Sequence, residues 1–406
     1  MNCKILVTVN PFAFPSASAN RLASLIHGLS NLGCELEILI LSGYYNAAES
    51  SKFGREGVFN NVKYKYFNYL INDNIWKLRF QKYLFHFLFS NIIKKRLRKH
   101  LHNFNGIIWV ENEYTIWEYA FKFVTSRTKL FSDITEFSDI AQRDNSSLIH
   151  RIFDSKSRFI IEKKILKNTA GISLITRTLI DYYKVSFDTL PEILHLPMTV
   201  DFDRFENVKS EEKPIEFIQP YIAFIGVMND AKDGVSILIK AFNLIKDQFP
   251  LHRLYLIGGY NYDTPNHLTL IKSLGLRDRV FWMNEYPREV IPSIICSADL
   301  LALPRPDSKQ AQGGFPTKLG EYLASGNPVC ATRVGEIPSY LTDNNSVFFA
   351  DPDSEFSFAE AMMRALSDSE NAKVVGQNGK NVALEKFNSD IQARILYKFL
   401  NQLFEN

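Results

Sequence analysis

The sequence predicts an α/β protein built of two Rossmann-like, doubly wound domains. Three observations carry that expectation. The chain has 406 residues, more than a single hydrophobic core normally serves. Short β-branched runs closed by Gly, Pro, Asn or Asp alternate with helical periodicity in both halves. Between the halves, LPEILHLPMTVDFDRF loses periodicity, carries prolines and polar residues, and reads as a linker.

In the first half, Cys3–Val9 reads as a buried parallel strand ending at Asn10-Pro11. The loop FAFPSASANR follows. Leu22, Leu25, Ile26, Leu29 and Leu32 then mark a helix that Gly33 ends. Further strands are expected at Glu35–Leu41, Gly106–Val110, Lys129–Ile134 and Ala170–Ile175. Alternation restarts at Tyr221–Ile225, which leads into GVMNDAKDG and the helix Val235–Ile245. Strands follow at Arg253–Ile257, closed by Gly258-Gly259, then around Val280–Trp282, at Asp299–Leu303 and at Pro328–Ala331. The expected domains are 1–200 and 201–386, with a helix at 387–406 that crosses back to the first domain.

Composition narrows the function classes. Apolar residues at 46% and charged residues at 22% suit a soluble globular protein. A net charge of +3 does not argue for nucleic acid, and no nucleic-acid motif accompanies the basic residues. Cys3, Cys34, Cys296 and Cys330 have neither metal-ligand nor redox spacing, and read as reduced core residues of a cytosolic protein. MNCKILVTVNPF reads as a first strand rather than a signal peptide, and no run of apolar residues is long enough to span a membrane. The expected location is therefore the cytoplasm.

The segment GGFPTKLGEYLASGNPV carries the chemistry. Gly313 and Gly314 precede a helix whose first turn suits Pro316. Amides near Phe315, Thr317 and Lys318 then form an anion seat at the helix N-terminus. About one and a half turns later, Glu321 is placed to accept hydrogen bonds from a ribose diol. The bland alternative is an ordinary βα turn with a surface glutamate.

This segment resembles the donor-site signature of glycosyltransferase family 4, in the GT-B fold. The resemblance extends over KILVTVNPF…SANR, PEILHLPMTVDFDRF, AFIGVMNDAKDG, the GG turn after LYLI, ADLLALP, GEIPSYL and FADP. It implies two Rossmann-like domains facing a cleft. The C-terminal domain would hold a UDP- or GDP-linked sugar, the N-terminal domain a glycan or lipid-linked acceptor. It further implies transfer with retention, no metal, and no cofactor beyond the nucleotide-sugar co-substrate. Cell-surface polysaccharide assembly is the expected setting.

Carried over residue by residue, Glu321 matches the ribose carboxylate of the signature. Its partner glutamate is replaced by Gly313, so Gln312 or Asp307 becomes the candidate for sugar contact. Lys232 matches the phosphate lysine, whereas Val227 stands where an arginine is usual; Arg305 or Lys318 is the candidate substitute. The first-domain glycine loop reads Ala17-Ser18-Ala19, followed by Asn20 and Arg21, and the usual histidine is replaced by Thr135 or Glu136. Gly258, Gly259 and Tyr286 lie where the base is expected. As an acceptor base, Glu136 is favoured over Asp133 and Glu111. In the mechanism so implied, Lys232 and the helix N-terminus neutralise the departing diphosphate.

Three further readings complete the set. Asp201–Asp203 and Asp351–Asp353 are DxD strings in linker or turn sequence and read as structural. Residues 76–104 are basic and aromatic at helical spacing. They fit either an anionic membrane surface on the inner face of the cytoplasmic membrane or a core-packed helix with a solvated basic face. Rival functions are a GT-B-type sugar-nucleotide epimerase and a non-catalytic nucleotide-sugar-binding subunit.

Overall fold

The computed structural model describes all residues except 14–15, 45, 69–89, 112–115, 118–119, 138–162, 164, 207, 209–213, 215 and 406, and only the backbone of 90–94. The chain forms two units. One is Met1–Leu196 with Gln392–Asn406; the other is Pro197–Ile391. Both are α/β with sheets dominated by parallel strands, as the alternating pattern requires.

In the first unit the strands are β1 Asn2–Val7, β2 Glu35–Ile40, β3 Glu56–Phe59, β4 Val62–Tyr66, β5 Gly106–Val110, β6 Thr128–Ile134, β7 Gly171–Leu174 and β8 Glu192–His195. Their order is β3-β4-β2-β1-β5-β6-β7-β8, with β3 antiparallel to β4. β1 therefore has β2 on one side and β5 on the other, which opens a crevice at its C-terminal end. The helix Ala17–Asn31 starts earlier than the loop reading allows, because the Ser16 side chain caps it by accepting from the Ala19 amide. Asn20 and Arg21 thus lie on a helix rather than in a glycine-like loop. Ile5, Leu25, Leu29, Ile38, Trp109 and Phe131 are fully buried in this unit's core.

Three strands of this unit went unread in the sequence: β3, β4 and β8. The β3–β4 hairpin turns at Asn60-Asn61, whose φ values of 49° and 63° suit a tight hairpin turn. β8 lies inside the stretch expected to be linker. Five residues between prolines are too few to show periodicity, yet Glu192–His195 pairs in parallel with Gly171–Leu174.

In the second unit the strands are β9 Tyr221–Ile225, β10 Arg253–Ile257, β11 Val280–Met283, β12 Leu300–Leu303, β13 Val329–Thr332 and β14 Phe348–Ala350. The order β11-β10-β9-β12-β13-β14 is parallel throughout. β9 sits at the point where the order reverses, so the loops after β9 and β12 flank a ligand crevice. Phe224, Leu238, Phe242, Leu300 and Phe358 fill the core beneath.

Of the basic stretch, residues 76–89 lie outside the described residues. The helix Ser90–Leu101 buries Leu97 and Leu101 and exposes Lys95, Arg96, Arg98 and Lys99. Cys3, Cys34 and Cys330 are buried free thiols, and Cys296 is half-buried.

Candidate functional site

The site grows from the helix Thr317–Ser325 of the second unit. Pro316 is its N-cap rather than its first helical residue, and Gly326 closes it in the left-handed conformation with φ 80°. The expected loop before it contains a short helix, Lys309–Gly313, capped by Ser308. Gly313 ends that turn, and Gly314 follows with extended backbone at φ −103° and ψ 164°. Phe315 is buried against Tyr340 and Phe387, which anchors the chain as it enters the longer helix.

Lys318 and Tyr322 are one turn apart and share a face. Both reach the end of β9. The Tyr322 hydroxyl accepts from the Ile225 amide at 2.7 Å. The Lys318 ammonium lies 2.6 Å from Asp233 Oδ1 and 4.6 Å from the centre of the Phe224 ring. A Cβ on residue 226 would lie 2.2 Å from that ammonium, so the close approach needs Gly226. Likewise a Cβ on Gly258 would lie 1.9 Å from the Gly226 carbonyl oxygen. Burial pushes the Lys318 pKa down, and Asp233 works against that fall.

Two more cations act on Lys318. Arg305 and Lys232 both press its pKa down by like charge. Arg305 is buried, 5% exposed, and donates to the Gln310 carbonyl at 3.2 Å. Lys232 is exposed, on the short helix Asp230–Asp233, where its amide donates to the Asn229 cap at 2.8 Å. The structure thus brings Lys232 and Arg305 within electrostatic reach of Lys318, three cations proposed from sequence, and pairs Lys318 with Asp233, a buried carboxylate that sequence reasoning missed. Asp230 beside them is half-buried. Burial opposes its charge, but His267 and Ser236 outweigh that and hold its pKa down to about 2.

On the next face of the helix, Glu321 forms an ion pair with Arg204, whose other nitrogen donates to the Arg288 carbonyl at 2.8 Å. Arg204 lies in DFDRF, the stretch read as linker. Its pairing with Glu321 had no sequence signal, since 117 residues separate them. Gln312 donates to Asp307 at 3.2 Å, so the two candidates for sugar contact form one pair. Gly259 lies against the Glu285 side chain, and the Tyr286 hydroxyl donates to Glu216 at 2.6 Å. Tyr260 is 62% exposed and edge-on to Trp282, which donates to the Gly258 carbonyl at 3.0 Å.

In the first unit the candidate bases fare differently. Asp133 takes two bonds from buried Arg21, at 2.8 and 3.1 Å, and one from Ser173 at 2.6 Å. Its oxygens serve the fold. Glu111 Oε2 accepts from the amide and hydroxyl of Thr8, at 2.6 and 2.7 Å, across the β1–β5 crevice. Glu136 is exposed in the bend after β6.

Known proteins resemble this chain in both sequence and fold. Residues 219–368 match the family Glycosyl transferases group 1. A D-inositol 3-phosphate glycosyltransferase of Corynebacterium aurimucosum is 26% identical over 241 residues, covering 54% of this chain and 55% of the relative. The chain is thus matched to little more than half the length of that protein. A mannosylfructose-phosphate synthase of Agrobacterium fabrum is 30% identical over 138 residues, covering 32% of this chain and 29% of that one. Among solved structures, sucrose-phosphate synthase of Thermosynechococcus elongatus superposes with a TM-score of 0.77 at 16% identity, covering 100% of this chain and 99% of its own. HepE of Anabaena, in complex with UDP-glucose, gives 0.70 at 13% identity, covering 99% and 100%. Together they establish the GT-B fold.

Proposed function

From a chain of glycosyltransferase family 4 type, with a glycosyl transferases group 1 domain at 219–368 in a GT-B fold, we propose a retaining transfer of sugar from a UDP- or GDP-linked donor to a glycan or lipid-linked acceptor. The observation that carries this is the cluster of Lys318, Lys232 and Arg305 at the reversal point of the second sheet, with Glu321 on the same helix as Lys318. It supplies cations for a diphosphate and a carboxylate for a ribose. The names of the relatives support transfer over epimerisation.

In the proposed reaction the bond between the anomeric carbon and the diphosphate oxygen breaks. A bond to an acceptor oxygen forms, and the acceptor loses its proton. Negative charge grows on the departing diphosphate as an oxocarbenium-like centre forms, so fixed positive charge there lowers the barrier. Lys318 and Arg305 are held by packing, and Lys232 is free to follow the phosphate. In this reading the protein's own cations do this work and no metal is required, so transfer continues in excess chelator. The setting proposed is cell-surface polysaccharide assembly at the inner face of the cytoplasmic membrane, with the basic stretch 76–104 against anionic lipid.

A thermal-shift screen of UDP, GDP and their sugars tests the donor, since a ligand of the folded state raises the melting temperature. Turnover of the stabilising donor then tests the chemistry. Lys232→Ala is expected to slow transfer by roughly ten- to a thousandfold, the range for removing one charge-stabilising donor. Wild-type turnover in that variant would remove Lys232 from the mechanism. Donor consumed without acceptor, yielding free nucleotide and an epimerised sugar, would favour the epimerase instead.

A further inference from the structure

Asp233 has no part in the scheme above, yet it is the most buried charged group beside the cations, at 1% exposed. It sits where it does for local reasons. Asn229 caps the turn Asp230–Asp233, and Gly234 ends it in the left-handed conformation at φ 66°. That geometry turns the carboxylate inward under the loop after β9. Oδ1 takes the Lys318 ammonium at 2.6 Å. Oδ2 is buried and makes no hydrogen bond among the described residues. A buried carboxylate with an unused oxygen is costly unless a cation compensates it. Lys318, in turn, is half-buried against Phe224 and Gly226, and feels the like charge of two further cations, Arg305 and Lys232.

We propose that Asp233 is a positioning residue that keeps the Lys318 ammonium charged and fixed against Gly226, ready for the diphosphate of the donor. The inference rests on the nucleotide-sugar reading. The position matters because Gly226 precedes Val227, the place where the resemblance calls for a phosphate-binding arginine. Lys318 delivers a cation to that turn from another helix. Two like charges nearby and loss of water both favour a neutral amine, and Asp233 is the one carboxylate among the described residues in direct contact that opposes them. On donor binding, the diphosphate shares the ammonium with Asp233, and the fixed side chain loses little further freedom.

The sign of the expected effect is fixed. Lys318 binds anions only while protonated, so diphosphate affinity falls as pH rises through its pKa. Removing Asp233 lowers that pKa and moves the fall toward neutrality. The test titrates full-length wild type, Asp233→Asn and the double variant Asp233→Asn/Lys318→Gln with UDP and with GDP by calorimetry, between about pH 7 and 10, the range below exposed lysines. The midpoint of the alkaline loss is expected to move down by about one to three pH units in Asp233→Asn, as for loss of an adjacent opposite charge. The double variant, a neutral pair of matched shape, is expected to lose that limb altogether. A limb unmoved in Asp233→Asn, or the wild-type limb retained in the double variant, overturns the proposal. Should Asp233→Asn not fold, the double variant decides alone. If wild type binds neither diphosphate at any pH, the nucleotide-sugar reading itself falls.

Discussion

Glu321→Gln is expected to weaken nucleotide diphosphate binding while leaving inorganic pyrophosphate binding unchanged. The carboxylate pairs with Arg204, whereas Lys318 of the same helix Thr317–Ser325 pairs with Asp233. Arg204 holds Oε1, which leaves Oε2 to accept from a ribose hydroxyl. A hydrogen bond to a charged acceptor contributes about 1.5–3 kcal/mol, so affinity for UDP or GDP should drop by roughly ten- to a hundredfold. Pyrophosphate lacks the ribose and reports only on the cations. Calorimetry with both ligands separates the two. Equal losses for nucleotide and pyrophosphate would show that Glu321 supports the phosphate seat instead, and the ribose role would be withdrawn.

The largest stability effect is expected from Lys318→Met. Methionine fills much of the lysine stem but leaves Asp233, 1% exposed, without its counter-charge. Breaking one side of a buried pair costs about 3–5 kcal/mol, whereas replacing both sides is often neutral. Lys318→Met should therefore lower the melting temperature by on the order of ten degrees, while Lys318→Met/Asp233→Asn recovers most of the loss. The comparison of single and double variants is the measurement. A single variant as stable as wild type would mean that the pair contributes nothing to the fold.

Much of the architecture was legible because parallel strands buried on both faces leave continuous apolar runs. Gly106–Val110, Tyr221–Ile225 and Arg253–Ile257 and the helix Val235–Ile245 form at their expected residues. Short edge strands were harder. Glu192–His195 shows no period within its proline-flanked stretch, and only its partner Gly171–Leu174 makes it a strand. The site was legible where function leaves a local string, as in GGFPTKLGE. It was illegible where two distant segments meet. Nothing in DFDRF points to Glu321, and Asp233 is an ordinary turn aspartate until the fold sets Lys318 against it. Sequence also gave Asp133 and Arg21 no hint of each other, though together they fasten β6 to the helix Ala17–Asn31.

The route of the chain has a practical consequence for dissecting the protein. Gln392–Asn406 belong to the first unit, although 195 residues of the second intervene after Leu196. Leu396, Leu400 and Leu403 are core residues there, and Leu403 and Phe399 lie over Gly171 of β7. A fragment cut after Leu196 would leave that apolar surface of β7 bare, a sticky sheet face prone to aggregation. Expressing the first unit alone therefore calls for grafting Gln392–Asn406 back through a designed connection. The second unit, Pro197–Ile391, is one uninterrupted stretch of chain and needs no such repair.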